Sequence, residues 1–318
     1  MRTMITTAAL VAALALPGAG VRAQSALESG NPIEGAIDFH VHSAPDTVAR
    51  NLSDIAVAEQ AKRRGMRGIV LKNHMTMTAD RAALVAEMVP GIEVFGGVVL
   101  NNSVGGLNPT AVDVMAGMEG GHGKVVWLPT RDAHHNIATF GEGEGIRVAE
   151  NGAVTAEMQA ILDKVQEHDL VLQTGHVSPE EVLAITARAK EMGIDKVAVT
   201  HAMAKVPGLS IDQMKQAAAD GAVLELVYLN HLMGPDAHLD WMHEWDQVSI
   251  ADMAAAIKEV GAEHFILASD LGQTGNPIHP DGYQILVTGL EDEGISEADL
   301  ETMMSTNPAR LLGLDAKN

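Results

Sequence analysis

The stretch GAIDFHVHSAPD, Gly35 to Asp46, ends an apolar run with two histidines one residue apart. Alternate side chains on a strand share a face, so His40 and His42 aim the same way. Two neutral imidazoles at that spacing can hold one cation. Other apolar runs end in kind: Lys72 and His74 close VLKNH, His176 closes LQTGH, His201 closes AVTH and Asp270 closes LASD. A single polar residue at a strand end needs only a hydrogen-bond partner. So many on what would be one rim converge on a site for a divalent, first-row metal. The chain has no cysteine, which removes thiolate ligands, a cysteine nucleophile and disulfides; His, Asp, Glu or Lys must hold any ion.

The elements that would position these residues alternate with a near-regular beat. Eight β-rich runs, GAIDFHV, RGIVLKNH, IEVFGGVVLN, KVVWLPT, LVLQTGHV, KVAVTHA, AVLELVYL and FILASDL, are separated by segments with three- and four-residue apolar spacing. Those segments include Leu52 to Arg64, Ala79 to Met88, Ala156 to Glu167, Pro179 to Met192 and Ile211 to Ala219. Runs this apolar suit parallel strands covered on both faces, and eight such units predict an α/β fold, a single-domain (β/α)8 TIM barrel. A doubly wound dinucleotide fold would place a glycine-rich turn after the first strand, where HVHSAPD stands instead. In the longest connection, Arg131 to Thr155, β-forming residues flank Asn151-Gly152. This predicts a small hairpin after strand four, lying as a lid over the barrel mouth. Strand carboxyl ends are where barrel active sites are built.

The ordered motifs DFHVH, QTGH, VTH and ASD, followed by STNPARLLGL, resemble the amidohydrolase superfamily of metal-dependent hydrolases over residues 34 to 315. The resemblance implies that His40 and His42 bind the more buried metal and His176 and His201 the more exposed one. It also implies that Asp270 binds metal and accepts a proton from the attacking water, and that Asn307 to Leu314 forms a closing helix with a packing role. One element departs from the pattern. Many two-metal members carry a bridging carboxylated lysine or a glutamate at the end of strand four, but here that strand ends VVWLPTRD, and Lys124 begins it. Lys72 is the substitute: CO2 could convert its amine to a bridging carbamate, or it could remain an ammonium that binds an anionic substrate.

The remaining candidates are substrate contacts. His74 shares the face of Lys72, as a further ligand or a substrate group. Arg131 could clamp a carboxylate or pair with Asp132. His134 and His135 lie in the loop behind TRDA, where His135 could reach the site or be merely solvated. Asn230, with His231 beside it, and Gln273 follow the seventh and eighth strands and are placed to line a pocket. His122, His168 and His264 precede strands and are expected to take no part, and the MTMT run after His74 is read as space filling.

Composition bounds the partners. With 42 acidic against 21 basic side chains and a formal charge of −21, the chain would be repelled by nucleic acid and by anionic membranes. A small-molecule substrate is expected; oligomeric state is not readable. Residues 1 to 23 have the order of a secretory signal: Arg2, an apolar run from Met4 to Leu16, a Pro17-Gly18 break, and small residues before a cut after Ala23. As a helix that run would span roughly 20 Å, short of the ~30 Å hydrocarbon core. A linker, 24–33, would lead to the barrel, and a periplasmic or secreted location is expected with no membrane anchor after cleavage. The whole reads as an exported metal-dependent hydrolase of amide, lactone, ester or phosphoester bonds, with one or two divalent ions and zinc as the default. A decarboxylase or other lyase, an isomerase on the same barrel, and a non-catalytic metal- or solute-binding protein are its rivals.

Overall fold

A computed structural model of the chain describes residues 30–315; the expected signal segment and most of the linker lie outside the described residues. Among the described residues ten strands form: β1 (Ile37–His42), β2 (Gly68–Lys72), β3 (Glu93–Val99), β4 (Gly123–Trp127), β5 (Ala149–Glu150), β6 (Ala153–Val154), β7 (Val171–Gln173), β8 (Val197–Val199), β9 (Val223–Val227) and β10 (Phe265–Ala268). Eight are parallel neighbours in the order β1-β2-β3-β4-β7-β8-β9-β10, and these are the eight runs expected from the sequence. The expected (β/α)8 barrel is present. Their residues are buried almost without exception, which is why the runs lack polar alternation.

The barrel closes where its first and last strands meet. Val41 bridges Leu271 in parallel, Asp270 N donates to His40 O at 2.9 Å, and Ser269 N donates to Asp38 Oδ1 at 2.9 Å. Gly272 runs so close to the His42 carbonyl that a Cβ would collide with it. The outer helices start on side-chain caps. Ser178–Glu181, Ser210–Gln213 and Ser249–Asp252 form reciprocal capping boxes, and Ser53 and Thr155 cap the helices Asp54–Arg63 and Ala156–Glu167. Since Ser178 stands two residues after His176, the box that starts its helix also holds the loop carrying that histidine.

The hairpin after the fourth strand forms. Ala149 pairs with Val154 and Glu150 with Ala153, while Asn151 and Gly152 take φ of 52° and 79°, the left-handed pair that a two-residue turn needs. It packs against the helix Pro179–Met192, whose Glu181 Oε1 accepts from Val148 N at 2.9 Å. None of its residues lines the central cavity. The part of that connection facing the mouth is a short helix, His134–Phe140, which sequence spacing did not announce. A second mouth element, residues 228–249, carries the 3-10 turns Tyr228–Leu232 and Asp240–Glu244. Among the described residues no helix is long and apolar enough to cross a membrane.

At the amino-terminal end of the barrel, Asn307 Nδ2 donates to Glu263 O at 3.0 Å and Phe265 O at 2.8 Å, fixing the final helix Asn307–Leu312. Replacing Asn307 with alanine removes both bonds and should cost about 1–3 kcal/mol, read as a lower urea midpoint. An unchanged midpoint would reduce that helix to passive packing.

Candidate metal centre

Three of the expected groups meet across the closing seam. His40 Nε2 lies 3.0 Å and His42 Nε2 3.2 Å from the same Asp270 Oδ1. A second pair faces it, with His176 Nε2 and His201 Nε2 3.2 Å apart. The two pairs are neighbours: the His40 and His201 rings stack with centroids 6.1 Å apart. Lys72 Nζ is 3.0 Å from His40 Nε2 and 5.6 Å from the centre of the Trp127 ring. All six are buried.

The strands themselves stop short of three of these residues. His176 follows β7 by three positions, and His201 and Asp270 follow β8 and β10 by two. The chain turns each inward through left-handed backbone: Gly175 has φ 63°, His201 29° and Asp270 52°. A Cβ on Gly175 would collide with the carbonyls of Leu128 and Pro129, so the turn before His176 needs glycine on two counts. His201 and Asp270 hold this backbone without that relief, as residues at functional sites often do.

The outward-facing nitrogens fix which atoms face the cavity. His42 Nδ1 lies 3.1 Å from the Lys72 carbonyl oxygen, which can only accept, so this nitrogen carries the proton. His40 Nδ1 faces Glu225 Oε2 at 3.1 Å and His176 Nδ1 faces Asn136 Oδ1 at 2.9 Å. Each of these Nε2 atoms then presents a lone pair to the centre, the tautomer of a metal ligand held from behind. His201 Nδ1 is buried with no partner.

Electrostatics keep the set ready for a cation. Burial pushes His42 down to about 3 and His201 to about 4, and holds His74 and His176 well below the usual imidazole value, so these rings are neutral at neutral pH. Burial is the largest influence on His40 and disfavours its charge, as does Lys72, but Asp270 and Glu225 together outweigh them and its pKa is raised. Burial alone would raise Asp270; His40 and His42 reverse that and hold it well below the carboxylate range. Lys72 is lowered to about 8 by burial, with Asp270 and Glu225 opposing.

Glu225 was not among the residues picked out from the sequence, and it is the hub behind the site. In the middle of β9 and fully buried, it accepts from His201 N at 3.0 Å through the same Oε2 that meets His40 Nδ1. Its Oε1 accepts from Gln173 Nε2 at 3.2 Å, and Gln173 Oε1 accepts from Thr200 Oγ1 at 2.7 Å. One charged residue inside the run AVLELVYL was the available signal. At the end of β4 stands Trp127, whose buried ring lies under Lys72.

A cavity of about 520 Å³ opens over this cluster. Of the expected substrate contacts, His74, Arg131, Asn230 and Gln273 line it. The His74 ring stacks on His42 at 4.8 Å, and its Nδ1 lies 2.8 Å from Thr130 Oγ1. That hydroxyl already accepts from Asn101 Nδ2 at 2.8 Å and can donate to His74, leaving a proton on Nε2. His74 is thereby suited to donating a hydrogen bond to a substrate. His135 does not line the cavity; its neighbour Asn136 does, since the helix His134–Phe140 turns successive side chains about 100° apart. Arg131 makes no ion pair with Asp132, whose carboxylate instead accepts from Asn102 N at 2.7 Å. His122, His168 and His264 do not line the cavity. Sequence reasoning also missed Arg50, whose buried guanidinium lines the cavity near His42.

Residues 35–225 match the profile of a family of unknown function, DUF6282. The chain belongs to that family. Comparison with curated proteins finds no match. Among solved structures, the chain is similar to an organophosphorus hydrolase from Deinococcus radiodurans at 14% identity and a TM-score of 0.59, over 88% of this chain and 92% of that one. It is similar to a 2,6-dihydroxybenzoate decarboxylase from Rhizobium at 11% identity and 0.56, over 89% and 100%. A third is an amidohydrolase from Burkholderia multivorans with bound zinc, at 15% identity and 0.55, over 88% and 99%. This DUF6282 chain therefore shares its barrel fold with these structures.

If Glu225 orients both His40 and His201, Glu225→Gln should keep the fold but weaken metal binding by about ten- to a hundredfold in chelator competition. Unchanged affinity would make the buried carboxylate a packing feature only.

Proposed function

We propose that this protein is an exported metal-dependent hydrolase acting on a small carbonyl or phosphoester substrate. One observation carries the reading: buried, neutral imidazoles turn their Nε2 atoms toward one another, with His176 and His201 only 3.2 Å apart. The His176 Nε2 lone pair can accept from His201 Nε2 at this distance only by leaving the buried His201 Nδ1 an unpartnered acceptor among the described residues, whereas a cation beside the two would use both rings as donors. The donor set fits a divalent ion, with His40, His42 and Asp270 on one side, His176 and His201 on the other, and an imidazole-rich set suits zinc. Lys72, as the carbamate formed when its amine adds CO2 and releases a proton, would supply the bridging oxygens that β4 lacks. A bound ion would supply Lewis acidity, activating water and polarising the group attacked.

The chain's own groups do the rest. Asp270 Oδ1 faces the same point as the Nε2 atoms of His40 and His42, 3.0 and 3.2 Å from them, while its Oδ2 has no protein hydrogen bond among the described residues. The ionised carboxylate takes one proton from the attacking water and returns it to the leaving group. His74 donates to the substrate, and Gln273, whose Nε2 donates to Asp270 O at 2.9 Å, steadies the loop that carries the acid. Decarboxylation is the second reading, favoured by the three cations Arg50, Lys72 and Arg131 in the cavity wall, which suit a substrate carboxylate. Release of CO2 without incorporation of labelled water oxygen would select it.

Elemental mass spectrometry on the purified protein should find about two ions per chain, falling to one or fewer in Lys72→Ala. Asp270→Asn should retain metal yet lose at least about a hundredfold in turnover. A wild-type protein that takes up no metal would overturn the reading.

Export rests on residues 1–23 alone, and amino-terminal sequencing of the mature protein should begin at Gln24. Recovery of an intact Met1 terminus from active protein would remove export from the proposal.

A further inference from the structure

The cavity wall is sorted by chemistry. On a chain with 42 acidic side chains, the lining holds only two acids, Asp270 and Glu244, against the arginines Arg50 and Arg131, with Lys72 belonging to the metal cluster. Asp270 belongs to the metal cluster and Glu244 is exposed at the mouth. An anion entering here meets a local field opposite in sign to the rest of the surface.

Arg50 is the one lining cation that is both buried and prearranged away from the metal cluster. Its side chain is 5% exposed, its Nε donates to Asp46 Oδ2 at 2.7 Å, and its Nη2 lies 2.7 Å from the same oxygen. That clamp fixes the plane of the guanidinium and leaves Nη1 with no protein hydrogen bond among the described residues. The loop bearing it is anchored in turn. Ser43 Oγ donates to Asp54 Oδ1 at 2.6 Å, and Arg81 donates to both oxygens of Asp54 at 2.7 Å.

The remaining wall is apolar and aromatic. Phe140 and Trp245 stack with ring centroids 4.7 Å apart, and Trp245 meets His176 and His201 edge-on at 6.0 and 6.2 Å. Met233 and Leu239, from the segment after β9, continue that wall. A flat apolar group placed against Trp245 therefore lies beside the second histidine pair.

Resting on the reading of this cavity as the active site, we infer that its substrate is a carboxylate carrying a ring-sized apolar body. Arg50 holds the carboxylate, Arg131 supports it from the rim, and the Phe140–Trp245 stack receives the body. A phosphoryl dianion needs more donors than one free guanidinium edge supplies, so a carboxylate is the better match. Arg50 and Trp245 set specificity and leave bond cleavage to the metal-side residues.

Titration calorimetry with 3-phenylpropanoate, its neutral amide and phenylphosphonate tests this on the metal-loaded and chelator-treated protein. The carboxylate should bind about ten- to a hundredfold more tightly than the amide. Arg50→Gln should remove that preference with little change for the amide, and Trp245→Ala should weaken both. Arg50→Lys, which keeps the charge opposite Asp46 and so protects the fold, should retain only part of the preference. Equal binding of acid and amide, tighter binding of the phosphonate, a preference that survives Arg50→Gln, or no saturable binding of any probe would overturn the assignment. A carboxylate preference in a protein that takes up no metal would sink the metal reading and leave this one standing. Metal uptake without the preference would do the reverse.

Discussion

The site depends on barrel closure. His40 and His42 sit on the first strand and Asp270 just past the last, so the carboxylate reaches the imidazoles only because β1 and β10 are brought side by side. The hydrogen bond from Asp270 N to His40 O and the Val41–Leu271 bridge are at once the seam of the barrel and the frame of the site. Asp38 contributes by accepting from both Ser269 N and His40 N, tying the two strands one step below the histidines. The same contacts thus hold the fold shut and set the distance between acid and imidazole.

A second constraint is electrostatic. Burial strips water from the histidines and favours their neutral forms, while the buried carboxylates Asp270 and Glu225 supply the negative charge that would offset an ion. Glu225 meets both histidine pairs, through a ring nitrogen on one and a backbone N–H on the other. A single carboxylate therefore couples the orientation of the first strand to that of the sixth. The acidic surface outside and the arginines in the cavity wall differ in sign, so the cavity presents a local field unlike that of the chain as a whole.

Much of this was legible in the sequence because barrel periodicity is strong. Every parallel strand appeared as an apolar run, and the residues closing those runs were the ones that converge. His176, His201 and Asp270 could be picked out although each lies beyond its strand, since each follows the strand's end by only two or three residues. Glu225 was hidden because it sits mid-strand, where one acid among apolar neighbours looks like a strand irregularity until its partners are seen. Arg50 and the Phe140–Trp245 stack were hidden for another reason. They lie in loops whose paths are set by contacts such as Arg81 with Asp54 and by close backbone approach, as where Gly145 passes His134, and no periodic pattern announces these. The choice of Asn136 over His135 as the cavity-lining residue was lost with them, because the short helix holding both was not foreseen.

The division of the ligand set along the chain has a consequence for how an ion is chosen. Its first members stand near residue 40 and its last at residue 270, on opposite sides of the seam. No partial chain holds the full set, and an unfolded chain holds none of it in place. An ion held by this set would be taken up only once folding is complete, so the metal supply where folding finishes would bear on which element the site receives.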